Sequence, residues 1–83
     1  MDQMAVRRTL DELIRTRGED YASLSRRIGR NQTYIQQFIK RGVPRRLSEE
    51  DRIRLAEYFA VPQSVLGGPP ERALRRVEVE SGK

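Results

Sequence analysis

The 83-residue chain has no cysteine, no histidine and no tryptophan. Without cysteine, neither a disulfide framework nor a thiolate metal site can form, which points to an intracellular, cytoplasmic setting. Without histidine, the commonest general base and the commonest metal ligand are both missing. Long apolar runs are absent as well. The uncharged stretch Ala60 to Pro70 contains three prolines and two glycines, and it is far short of the roughly 20 apolar residues that cross a bilayer. Met1-Asp2-Gln3 lacks the basic start and apolar stretch of a secretion signal. With only 36% apolar residues, the chain has material for one small domain, so a multidomain enzyme is excluded.

Charge is plentiful and unevenly placed. The net charge is +5. Residues 1–20 carry four basic and five acidic side chains, residues 47–66 two and four, and residues 67–83 four and three. Between the first two of these blocks, residues 21–46 hold seven cations (Arg26, Arg27, Arg30, Lys40, Arg41, Arg45, Arg46) and no acid. Such a segment suits a polyanion, because each phosphate neutralised by Lys or Arg releases a condensed counterion. A solvated basic face is the plain alternative, and the elements beneath the charge decide between the two.

The apolar spacing predicts short helices separated by caps and turns. Val6, Leu10, Leu13 and Ile14 form one stripe of a helix over about 3–16 that Gly18 ends. Asp20 caps a second helix, with Leu24 and Ile28 facing inward and Gly29 stopping it. Asn31 is expected to cap a third, Gln32 to Arg41, closed by Gly42 and Val43-Pro44. Ser48-Glu49-Glu50-Asp51 resembles a capping box with three acids at the positive end of the helix dipole, and Ile53, Ala56 and Phe59/Ala60 are placed on its apolar face. Pro62 opens a last short turn through Leu66. Period-two alternation appears only at Val77 and Val79, so the folded part is expected to be all-α, a compact bundle of about five short helices. The expected core is Ile14, Leu24, Ile28, Ile35, Phe38, Leu55, Phe59 and Leu66.

The third helix has two chemically different sides. At about 100° per residue, Gln32, Gln36, Lys40, Thr33 and Gln37 share an arc of about 140°, while Tyr34, Phe38, Ile35 and Ile39 lie between about 200° and about 340°. A surface helix more often carries Glu and Lys at i, i+4 on its wet side. Gln, Thr and Lys are side chains that hydrogen-bond base edges in a major groove, Gln pairing bidentately with adenine.

The run Leu24-Ser25-Arg26-Arg27-Ile28-Gly29-Arg30-Asn31-Gln32-Thr33-Tyr34-Ile35-Gln36-Gln37-Phe38 resembles the helix-turn-helix of the Cro/repressor (XRE-like) family of lambdoid phages. That pattern wants a small residue, a turn glycine four positions later, an aliphatic six after that and an apolar residue three beyond; here these are Ser25, Gly29, Ile35 and Phe38. Ser25 departs from the usual Ala but is also small. The glycine suits a turn that needs positive φ. The resemblance covers residues 3–66 and implies a lambda-repressor-like domain over 1–66, with its motif at about 20–41. It implies a sequence-specific double-stranded DNA-binding regulator, repression being the usual mode, paired as a homodimer on an inverted repeat, without enzymatic activity, cofactor, metal or small-molecule ligand. An antitoxin-like interaction module whose helices serve assembly is the competing class.

By the same resemblance, Gln32, Thr33, Gln36 and Gln37 are expected to read bases. Tyr21 and Ser23, with the backbone N–H groups after Asp20, and Arg30, Lys40, Arg41, Arg45 and Arg46 are expected to meet phosphates. Two readings stand for Arg26 and Arg27, a backbone contact or a wet outer helix face. Tyr34 and Tyr58 are read as packing residues with the hydroxyl at the rim, and Glu49, Glu50 and Asp51 as helix-start acids, not catalytic carboxylates. Pairing is expected through Val61 to Leu66, with Val65 and Leu66 exposed. Residues 67–83 read as a linker and tail, with Glu71 to Arg76 either a short helix or disordered, and whether they lead to a further domain stays open.

Overall fold

The computed structural model describes residues 2–69. Four α-helices follow one another: α1 Gln3–Thr16, α2 Tyr21–Arg27, α3 Tyr34–Arg41 and α4 Glu49–Phe59. The described residues contain no strand. The expected fifth helix is a single 3-10 turn, Gln63–Leu66, too short for i→i+4 bonding between its proline start and Gly67. The readings of Glu71 to Arg76 and of Val77 and Val79 fall outside the described residues.

Local chemistry explains most of the boundaries. Asp2, Asp20 and Ser48 each accept the backbone N–H three residues on, at Ala5 (3.1 Å), Ser23 (2.8 Å) and Asp51 (3.1 Å), which satisfies donors that a helix start leaves orphaned. Gly42 closes α3 at φ +69°, and Gly29 turns the chain at φ +80° between α2 and α3, conformations in which a Cβ is strained. Ala60 closes α4 at φ +57° with no such exemption.

The start of α3 differs from expectation. Asn31 does not cap a helix beginning at Gln32. Its Oδ1 accepts from both the N–H and the hydroxyl of Thr33, at 3.0 and 2.8 Å, and the Tyr34 N–H bonds the Asn31 carbonyl. An Asn side chain bonded two residues along its own backbone offers the chain a turn in place of a helix. Gln32 therefore sits in that turn, and the helix starts two residues later.

The core is one cluster. Val6, Leu10 and Ile14 of α1, Leu24 of α2, Ile28 just after it, Ile35 and Phe38 of α3, and Leu55, Ala56 and Phe59 of α4 are buried together with Leu47 and Leu66. All eight expected core residues are in it. Full burial of each such large side chain stabilises by about 1.5–3 kcal/mol. Leu47 anchors the loop between α3 and α4. On α4 the buried stripe runs Asp51, Leu55, Ala56, Phe59, so of the face expected Ala56 and Phe59 are buried, while Ile53 is half-buried and Ala60 exposed. Leu66, expected both in the core and exposed on the pairing surface, is only 2% exposed, because the 3-10 turn folds back onto α1 and α4. Gly67 and Gly68 belong to the same packing. A Cβ at Gly67 would lie 3.2 Å from Val6 Cγ2, and the Gly68 N–H bonds the Gln63 carbonyl at 2.9 Å.

Candidate nucleic-acid interface

Helix α3 buries Ile35 and Phe38 and turns its other side outward. Thr33, Gln36, Gln37, Lys40 and Arg41 surround one open groove on that outer side. Five of the expected site residues thus share a surface, four on the helix and Thr33 just before its first turn. Gln32 is exposed in the preceding turn and does not line the groove. Arg45 and Arg46 are exposed in the loop beyond Gly42.

Two hydroxyl-bearing residues fix where α3 begins. Ser25, wholly buried on α2, donates its hydroxyl proton to the Tyr21 carbonyl at 2.7 Å, and its Oγ accepts the Ile35 N–H at 3.0 Å. Thr33 makes no side-chain cap, so a serine on the neighbouring helix satisfies one of the orphan donors of α3. An alanine there would allow the close approach but leave Ile35 N–H without that partner. Tyr34 lies half-buried, and its hydroxyl donates to Asp51 Oδ2 at 2.7 Å. The hydroxyl points inward, contrary to the rim position expected. Desolvation, and then the bond to Asp51, push the Tyr34 phenol up to about 12.

Asp51 is the centre of this arrangement. It is 0% exposed. Its carboxylate receives Arg30 Nε at 3.2 and 3.1 Å and Arg30 Nη2 at 3.0 Å, besides the Tyr34 hydroxyl. Burial raises its pKa, but the hydrogen bonds from Arg30, Tyr34 and Ser48 and the charge of Arg30 outweigh this and hold it below the ordinary carboxylate value. Ser48 caps Asp51 N–H as a capping box requires, while the reciprocal half is missing because the Asp51 side chain is turned inward. The other two acids behave as helix-start groups. Glu49 and Glu50 are exposed, and Glu50 pairs with Arg54 at 2.8 Å. Arg54 also donates through Nη1 to the Ile28 carbonyl at 2.9 Å. One face of α4 therefore grips residues 28–30, the first half of the connection between α2 and α3, through Arg54 and Asp51.

The remaining expected phosphate ligands are partly engaged. The Tyr21 hydroxyl donates to Asp11 at 2.6 Å, which raises its pKa, and Lys40 Nζ stands 5.9 Å from its ring centre. The Ser23 N–H is held by Asp20, whose carboxyl this bond keeps below its usual value. Arg27 lies over the Tyr58 ring at 4.8 Å, while the Tyr58 hydroxyl donates to Glu19. Arg27 thus lies against α4, though both Arg26 and Arg27 are exposed.

Sequence reasoning missed Asp51, Tyr34 and Arg54 as parts of this region. The available signal was register: Asp51 stands four residues before Leu55 and eight before Phe59, so an acid occupies the apolar stripe of α4 and must be buried and paired. Among the described residues no cluster of acids could hold a metal ion, and no helix is long and apolar enough to cross a membrane. No protein-family model, curated protein or solved structure matches the chain.

Proposed function

We propose that the protein is a sequence-specific double-stranded DNA-binding regulator of the repressor kind, in which α2 and α3 form a helix-turn-helix and α3 enters the major groove. The observation that carries the reading is the outer side of α3, where Thr33, Gln36, Gln37, Lys40 and Arg41 share one groove on a helix fixed from behind by Ile35 and Phe38. Amide and hydroxyl groups at the centre suit base edges, and cations toward the end of the helix suit phosphates. No acid occurs between residues 21 and 46 to repel the backbone. Gln36, Gln37 and Thr33 are assigned to bases, with Gln32 reaching from the turn. Lys40, Arg41, Arg45 and Arg46 are assigned to phosphates, together with Tyr21, Ser23 and Arg30.

One α3 reads only about four or five base pairs, so useful selectivity requires two copies on an inverted repeat. With Leu66 buried, the pairing surface is limited to the half-buried Val61 and Val65 and the neighbouring apolar groove of Ile53, Ala56 and Pro62. Self-association without DNA is therefore weak in this reading.

Titration of a fluorescent random-sequence duplex at several salt concentrations tests the proposal. The expected result is a linear fall of log affinity with log salt, with a slope of about −0.9 for each phosphate contacted. Absence of binding, or binding indifferent to salt, would overturn it in favour of an assembly role.

A further inference from the structure

Arg30 is the one cation of the 21–46 segment bound to a buried carboxylate among the described residues. Asp51 takes Nε and Nη2 along one edge of the guanidinium. Nη1 has no hydrogen-bond partner among the described residues, and the side chain is 44% exposed. Arg30 also lies over the Tyr34 ring at 5.0 Å, so both the edge and one face of the planar group are fixed. Tyr34 in turn is tied to the same carboxylate. The result is a guanidinium immobilised at the first turn of α3, with its other edge open.

We propose that Asp51 is a positioning residue for phosphate binding: it presets Arg30 so that the open edge of the guanidinium takes a DNA backbone phosphate beside the start of α3. This rests on the reading of α3 as the DNA-reading helix. A free arginine loses rotamer freedom when it binds a phosphate, whereas an arginine already held by a carboxylate has lost it on folding. The planar fork makes the dual use possible, because one edge serves the carboxylate and the other a phosphate oxygen. A lysine at this position has no second edge. Its ammonium is a point charge on a flexible stem, so pairing with Asp51 presents no fixed second edge to a phosphate.

Net charge and presetting give opposite expectations for Asp51→Asn. Removing an acid raises the net charge and, by long-range attraction alone, tightens binding to a polyanion. Presetting requires that binding weaken, by about 2- to 10-fold, as Arg30 regains the freedom that must again be lost on contact.

The test is a double-mutant cycle on the 83-residue protein, using a fluorescent random-sequence duplex titrated across a salt series, with circular dichroism confirming the fold of each variant. Asp51→Asn is expected to bind 2- to 10-fold more weakly than the parent. Arg30→Ala is expected to weaken binding and flatten the log–log salt slope by up to about one unit. Asp51→Asn added to Arg30→Ala should weaken binding no further, because Asp51 acts through Arg30 and only its long-range charge remains to be removed. Arg30→Lys, which keeps the charge and the ion pair and so the fold, should still bind more weakly than the parent, because it keeps the charge without the second edge. Tighter or unchanged binding by Asp51→Asn, fully additive losses, or parent-like binding by Arg30→Lys overturns the positioning role while leaving the DNA reading intact. A parent that fails to bind the duplex at any salt overturns both.

Discussion

The two ends of α3 are built from opposite materials. Its start is held by buried polar groups, Ser25 Oγ on the Ile35 N–H and Asp51 on the Tyr34 hydroxyl and on Arg30 from the preceding connection. Its end carries exposed Lys40 and Arg41, closes at the left-handed Gly42, and leads to exposed Arg45 and Arg46. Buried polar groups act through geometry, because each must keep its partner or bear an unpaired donor or acceptor. Exposed cations act through charge, which salt screens and which contributes little to folding. The start of the helix thus fixes where its outer side points, and in the proposed function the end supplies attraction to the DNA backbone.

Breaking the start should cost stability first. Asp51→Ala removes the carboxylate that joins α4 to the α2–α3 connection, and the expected loss is about 3 kcal/mol, the lower end for a broken buried pair because Arg30 can turn to water. Ser25→Ala leaves the Ile35 N–H without its buried acceptor and should cost about 1–2 kcal/mol. Urea denaturation followed by circular dichroism measures both, and a change under about 0.5 kcal/mol for either would mean that the polar links do not hold the helix.

Acid sharpens the contrast. The Asp51 carboxyl is depressed below its ordinary value of 3.8 in the folded protein. The stability it contributes is therefore present above that value and lost as pH falls through the depressed one. Denaturation midpoints should drop steeply below about pH 4 in the parent and less steeply in Asp51→Asn. Identical acid profiles would show that the carboxylate is not held by its partners.

Breaking the end should leave the fold alone. Lys40→Gln and Arg41→Gln are expected to shift stability by no more than about 0.5 kcal/mol. Each should weaken binding to every duplex and flatten the salt slope by about one unit per lost contact. An unchanged slope would place the side chain in solvent in the complex.

The same division marks what could be read from sequence. Periodicity and caps are local, so the four helices, the eight expected core residues and the caps at Asp20 and Ser48 were legible to within a residue or two. The start of α3 was not, because Asn31 had two competing uses for its side chain and only the observed bonds show that it serves the Thr33 turn. Asp51 shows how a correct local reading can be incomplete. A helix-start acid accounted for its position in sequence, yet its burial depends on the register of α4 against Leu55 and Phe59 and on Arg30, twenty-one residues earlier. Leu66 was assigned both to the core and to the pairing surface for a similar reason, since the contact of the 3-10 turn with α1, which decides between them, joins the two ends of the described chain. The exposure of Gln36, Gln37, Lys40 and Arg41 on the outer side of α3, by contrast, follows from helical periodicity alone.

The central claim is that the exposed side of α3 reads bases while its flanking cations hold the backbone. Selecting bound duplexes from a random-sequence library, then titrating the enriched site and a random duplex with the parent and with Gln36→Ala, separates those two roles. The account predicts enrichment of a short inverted repeat, a loss of about 1–3 kcal/mol for Gln36→Ala on that site, and nearly unchanged binding to random duplex. No enrichment, or an equal loss on both duplexes, would contradict it.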